Sequence, residues 1–176
     1  MSFKKTFLPA VILALICLVC ALALAVTNRA TEQKIAESAR AQYLASAASV
    51  MPEGTALTEI DVEGVEGFFG KDENGHIVGY VIKTASRGYG GDVSCVVGFD
   101  AEGRIIGLSV AAPDETPGLG SRVADSAFSD GFLGKSQAPV LGSDVDAVTG
   151  ATYSSRAVTE AVAEAFAQLE ILMKGA

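Results

Sequence analysis

Thr149-Gly150-Ala151-Thr152 is the stretch of this chain best suited to chemistry. It sets a threonine hydroxyl on a glycine-containing turn, and a helical pattern begins directly after it. A helix start offers unpaired backbone N–H groups and partial positive charge, so it favours a phosphate. The plainer role of such a string is a turn with a helix cap. Ser154 and Ser155 follow as the natural N-cap candidates, and Arg156 lies in the first turn as a solvated side chain or a phosphate contact. A second string, Glu115-Thr116-Pro117-Gly118-Leu119-Gly120, is turn-forming and brings a carboxyl group. A third, Tyr89-Gly90-Gly91, is a glycine-rich loop with an aromatic tip.

Other chemistries lack the residues they need. His76 is the only histidine and stands beside a turn, so a histidine-based metal site or a Ser-His-Asp triad is not expected. Cys17 and Cys20 have C-x-x-C spacing but lie inside an apolar run, where they read as small packing residues. Cys95 stands alone in a strand-like run. No glycine fingerprint for dinucleotides and no iron–sulfur cysteine set is present. We expect no catalytic side chain and no metal ligand.

The elements that must position these strings begin with Phe7–Val26, an uncharged run of twenty residues, long enough to span a bilayer. Lys4 and Lys5 precede it and favour a cytoplasmic N-terminus, with the rest of the chain outside the cytoplasm. A cleaved signal peptide is the rival, with Ala-Leu-Ala triplets at 21–23 and 23–25 as cleavage sites. All 21 acidic residues, and all but two of the 13 basic ones, follow residue 26, giving that part a net charge of −10. Nucleic acid and anionic lipid heads should repel it.

Residues 27–50 have helix-favouring composition, which Met51-Pro52-Glu53-Gly54 ends. Two hairpins are then expected. One turns at Asn74-Gly75, where both residues accept positive φ; the other turns at Asp100–Gly103 through a type I turn with a glycine bulge. A short helix is expected over about 121–132. A final helix is expected over about 154–173, with Val158, Val162, Phe166, Leu169 and Met173 as its apolar stripe. The fold class is α+β: a short cytoplasmic N-terminus with a single transmembrane helix (1–26), a helical connector (27–52), and an extracytoplasmic domain at 53–176 with antiparallel β-hairpins and a long C-terminal helix.

Taken together, Glu115–Gly120, Tyr89-Gly90-Gly91, Val97–Asp100 with Gly103, and Asp146–Val158 resemble successive landmarks of the FMN-binding subunits of ion-translocating electron transport complexes. The likeness is to the G subunit of the Rnf complex, with the C subunit of the sodium-pumping NADH:quinone oxidoreductase as a cousin. The resemblance implies one covalent FMN per chain, attached through its phosphate to Thr152. It also implies a flavin site drawn from Glu115, Thr116, Gly118, Leu119, Gly120, Gly150, Ala151 and Tyr153. The implied role is electron transfer in a cell-membrane complex that couples ferredoxin and NAD redox chemistry to Na⁺ or H⁺ translocation. Other membrane and peripheral subunits are implied partners. A threonine hydroxyl is a poor nucleophile, so a separate flavin transferase using FAD and Mg²⁺ is implied for maturation. Two alternatives stay open: the flavin subunit of a quinone-reducing sodium pump or other respiratory chain, and a cofactor-free anchored assembly module.

Overall fold

The computed structural model describes residues 3–175, and side chains from residue 9 to residue 174. Lys4 and Lys5, on whose side chains the expected orientation rests, lie outside the described side chains. The chain divides into two compact units, Met1–Gln42 and Tyr43–Ala176. Within the first, helix α1 (Phe3–Ser49) begins and runs without a break past the apolar segment. Among the described residues one helix is long and apolar enough to cross a membrane, at Pro9–Ser49, with a window of mean hydropathy 3.0.

The second unit takes in the last turns of α1, a five-stranded sheet and the C-terminal helix. The strands are β1 (Ala56–Glu59), β2 (Glu66–Lys71), β3 (Ile77–Arg87), β4 (Asp92–Asp100) and β5 (Ile105–Ala111). They pair in sequence order, each antiparallel to the next. Successive side chains of a strand point to opposite faces, and both faces of this sheet are covered. On one face Ile82, Cys95, Val97 and Phe99 pack with Val158, Val162, Phe166 and Leu169 of helix α3 (Thr152–Gly175). Phe99 and Phe166 meet edge to face with ring centroids 5.0 Å apart. On the other face Phe68, Val81 and Val96 pack with Ala47, Val50 and Met51 from the end of α1. Helix formation in the connector therefore ends in packing on the sheet.

The two hairpin turns are built alike. Asp72 Oδ1 accepts the N–H groups of Asn74 at 2.9 Å and His76 at 2.8 Å; Asp100 Oδ1 accepts those of Glu102 at 3.0 Å and Arg104 at 2.8 Å. Gly75 (φ +85°) and Gly103 (φ +80°) close them in the left-handed region. The expected glycine bulge at 100–103 is present. The Asn74-Gly75 turn differs from expectation: only Gly75 has positive φ, because the Asp72 side chain draws in the Asn74 N–H and fixes the same type of turn.

Three helical expectations are also corrected. The stretch after Leu119 is not one helix. It is a 3₁₀ turn (Gly120–Ala124), a one-turn helix α2 (Ser126–Ser129) and a second 3₁₀ turn (Asp130–Phe132), whose Val123, Phe128 and Phe132 enter the core. The apolar stripe of α3 ends on buried Leu172, while Met173 is exposed. Finally, α3 starts at Thr152, so neither Ser154 nor Ser155 is its cap. Both serines are buried, and their hydroxyls bond elsewhere. Cys95 lies in the core, where burial pushes its thiol up to about 12.

Candidate functional site

The turn before α3 is held from within. Ala151 N–H bonds to the Val148 carbonyl at 2.9 Å, and the Ala151 carbonyl accepts Ser155 N–H, also at 2.9 Å, which makes Ala151 the cap residue. Ser155 Oγ donates to the Ala151 carbonyl at 2.9 Å and accepts Val148 N–H at 3.0 Å. Gly150 takes φ +80°, and a Cβ there would sit 3.0 Å from Leu119 Cδ1. An alanine cap has no side-chain oxygen, so among the described residues no protein acceptor meets the N–H groups of Thr152, Tyr153 and Ser154. The Thr152 side chain at this helix start is exposed.

The Glu115–Gly120 turn stands next to it. The Thr116 carbonyl accepts the N–H groups of Leu119 at 3.1 Å and Ser121 at 3.2 Å, and Gly118 N–H bonds to Ser121 Oγ at 2.9 Å. Glu115 is only 4 % exposed. Its Oε1 accepts Tyr89 N–H at 2.7 Å and Gly90 N–H at 3.2 Å, and its Oε2 accepts the Ser154 hydroxyl at 2.7 Å. One buried carboxyl group thus joins three segments distant in sequence. Gly120 has no room for a side chain, because a Cβ would strike Glu115 Oε2 and sit 3.0 Å from Ser154 Oγ.

Between these segments lies a cleft of about 350 Å³, lined by both turns, the start of α3 and Tyr89. Leu119, Tyr89 and Tyr153 are all exposed at it, and the two tyrosine rings lie 6.3 Å apart, centroid to centroid, tilted by 47°. The Arg156 guanidinium lies 6.0 Å from the Tyr153 ring centroid, so the first-turn arginine is on an aromatic face.

Of the residues expected at the site, Glu115, Thr116, Leu119, Gly120, Gly150, Ala151, Thr152 and Tyr153 line this cleft. Gly118 does not; it stands at φ +74° in the turn beside it. Two lining residues were missed by sequence reasoning. Ser154 looked like a helix cap, and only its burial against Glu115 shows otherwise. Tyr89 looked like a loop tip; its flanking glycines were the available signal. The arrangement fits a flat aromatic ligand with a phosphate: free N–H donors and an accessible hydroxyl at one end, apolar and aromatic side chains beside them.

Residues 88–167 match the model of the FMN-binding domain, and residues 1–50 match that of the RnfG N-terminal region. The G subunit of the Na⁺-translocating ferredoxin:NAD⁺ oxidoreductase complex of Acetobacterium woodii is 32 % identical over 187 residues, covering 92 % of this chain and 90 % of its own. The G subunit of the proton-translocating ferredoxin:NAD⁺ oxidoreductase complex of Clostridium ljungdahlii is 31 % identical over 121 residues, covering 65 % of each chain. The crystal structure of Shewanella oneidensis NqrC shares the fold, with a TM-score of 0.50 at 24 % identity over 66 % of this chain and 65 % of that one. The chain belongs to the RnfG family, the G subunits of ion-translocating oxidoreductase complexes.

Proposed function

We propose that this chain is a membrane-anchored electron-transfer subunit that carries one FMN, esterified through its phosphate to Oγ1 of Thr152. The observation that carries the reading is the exposed Thr152 side chain beside three N–H groups without a protein acceptor, at the mouth of the cleft and inside the segment that matches the FMN-binding domain.

The flavin, when bound, supplies reversible uptake and release of electrons. The chain's residues hold and orient it. The N–H groups of Thr152, Tyr153 and Ser154 stabilise the negative charge of the phosphodiester. Leu119 and Tyr153 offer apolar surface to the ring, and Gly120 leaves room for the bond between Glu115 and Ser154. Gly150 and Ala151 keep the turn slim, so that a modifying enzyme reaches the hydroxyl.

Attachment needs help from outside the chain. His76 is in the β2–β3 turn, its Nδ1 3.4 Å from Asp72 Oδ2, and is engaged there. A separate transferase with FAD and Mg²⁺ supplies the base and the cation. The threonine oxygen forms the new bond to the phosphorus of the FMN moiety, AMP leaves with the electrons of the broken P–O bond, and the hydroxyl proton passes to the transferase.

The relatives at 32 % and 31 % identity belong to complexes named for ferredoxin, NAD⁺ and a translocated Na⁺ or H⁺. We assign this chain to a complex of that kind, with ferredoxin and NAD⁺ handled by other subunits. In this reading residues 1–26 form a short cytoplasmic N-terminus and a single membrane-spanning helix. The connector, 27–52, is helical as far as Ser49, and the flavin domain, 53–176, lies outside the cytoplasm. Co-expression of the full chain with a flavin transferase, followed by denaturing electrophoresis, tests the attachment. The wild-type band should fluoresce and Thr152→Ala should not. A fluorescent Thr152→Ala band contradicts the assignment.

A further inference from the structure

Tyr89 is 72 % exposed and Tyr153 68 %, the two most exposed of the large hydrophobic side chains described in the second unit, Tyr43–Ala176. The backbone that carries Tyr89 is held by hydrogen bonds. Gly88 N–H bonds to the Gly91 carbonyl at 2.9 Å and closes a tight turn with Tyr89 at its tip. That turn is pressed against the Asp114-Glu115 backbone and carboxyl. A Cβ at Gly88 would strike Glu115 Oε1, and one at Gly90 would strike the Asp114 carbonyl oxygen. The N–H groups of Tyr89 and Gly90 both end on Glu115 Oε1. Burying a carboxyl group is costly unless its hydrogen bonds are met. Here that group fixes the backbone of a side chain left in solvent, across the cleft from a second tyrosine.

We propose that Tyr89 forms a wall of the flavin slot and touches the isoalloxazine ring, and that Glu115 is a positioning residue acting through Tyr89. The inference rests on the function proposed above. Glu115 fixes the gap between the loop tip and the start of α3 because the same carboxyl group holds Ser154. A planar ring that enters this gap gains aromatic contact from a side chain already in place. Hydrogen-bond acceptance does the positioning, so a side chain of the same shape retains it. In Glu115→Gln the amide oxygen accepts Tyr89 and Gly90 N–H, and the amide N–H₂ donates to Ser154 Oγ.

A tyrosine in contact with flavin quenches its fluorescence: the phenol lends an electron to the excited ring and takes it back without emission. Phenylalanine keeps the packing but not the quenching. The test uses the full-length flavinylated chain in detergent, in a Tyr153→Phe background that removes the other phenol at the cleft. Native fluorescence is divided by that of the same sample after denaturation, which cancels differences in flavin content. Adding Tyr89→Phe should raise this ratio several-fold. Adding Glu115→Leu should raise it comparably with Tyr89 intact, and adding Glu115→Gln should leave it unchanged. A ratio unmoved by Tyr89→Phe overturns the contact, and a ratio unmoved by Glu115→Leu overturns the proposed route through Tyr89. Wild-type protein without flavin refutes the proposed function and this inference with it. Flavin-bearing protein with an unmoved ratio refutes this inference alone.

Discussion

Ser154 Oγ donates to Glu115 Oε2 at 2.7 Å, and this bond ties the first turn of α3 to the turn at 115–120. Both side chains are buried, at 1 % and 4 % exposure, so water does not readily replace either partner. Ser154→Ala should cost about 1 kcal/mol of unfolding free energy, and Glu115→Ala about 2 kcal/mol, since it also leaves the Tyr89 and Gly90 N–H groups without their acceptor. The two substitutions share one bond, so the double variant should fall short of their sum by about 1 kcal/mol. Denaturant unfolding of the four proteins measures this; strict additivity would show that the bond contributes nothing.

Gly150 holds the turn ahead of Thr152 at φ +80° with Leu119 close by. Gly150→Val puts a β-branched side chain in the left-handed region and drives it toward Leu119. A cost of about 2 kcal/mol is expected, together with a clear drop in the flavin carried per chain, because the turn must shift. Absorbance per chain and thermal unfolding check the two effects separately. Wild-type flavin loading would mean that the turn's shape does not govern modification.

Asp72 opens the first hairpin turn. The His76 N–H is the largest cause holding its carboxyl below the usual carboxylate range; desolvation, next in size, opposes it, and the Asn74 backbone and side chain and the His76 charge add to the lowering. The folded state therefore favours the ionised form, and the unfolded state binds the proton first as pH falls. The turn's pH-dependent stabilisation is complete above the ordinary carboxylate range and is lost as pH drops through the lowered value. Asp72→Asn keeps an oxygen acceptor without the titration. The stability difference between wild type and Asp72→Asn should shift against wild type as pH falls through the carboxylate range. Parallel pH profiles for the two proteins would contradict this.

Local features were legible where one short-range cause dominates. The apolar run, the Asp100–Gly103 turn and the stripe from Val158 to Leu169 follow from composition and period, and the structure has each of them. Expectation failed where a distant group decides. Ser154 is a good cap by type, but buried Glu115, 39 residues earlier, takes its hydroxyl, while Ala151 occupies the cap position. Met173 fits the helical period, yet the core ends one residue earlier at Leu172. Tyr89 offered only its flanking glycines as a sign, because its place at the site depends on a carboxyl group 26 residues away. The 121–132 stretch breaks into short turns as it delivers Val123, Phe128 and Phe132 into the core.

Peptide mass mapping of the full chain, purified after co-expression with a flavin transferase, tests the central claim most directly. Trypsin cuts after Lys135 and Arg156 and releases residues 136–156, which include Ser136, Ser143, Thr149, Thr152, Ser154 and Ser155. The account predicts that this peptide gains the mass of one FMN phosphoester, that fragmentation places it on Thr152, and that Thr152→Ala yields the peptide unmodified. Flavin on Thr149 or any other residue, or an unmodified wild-type peptide from a flavin-bearing protein, would contradict it.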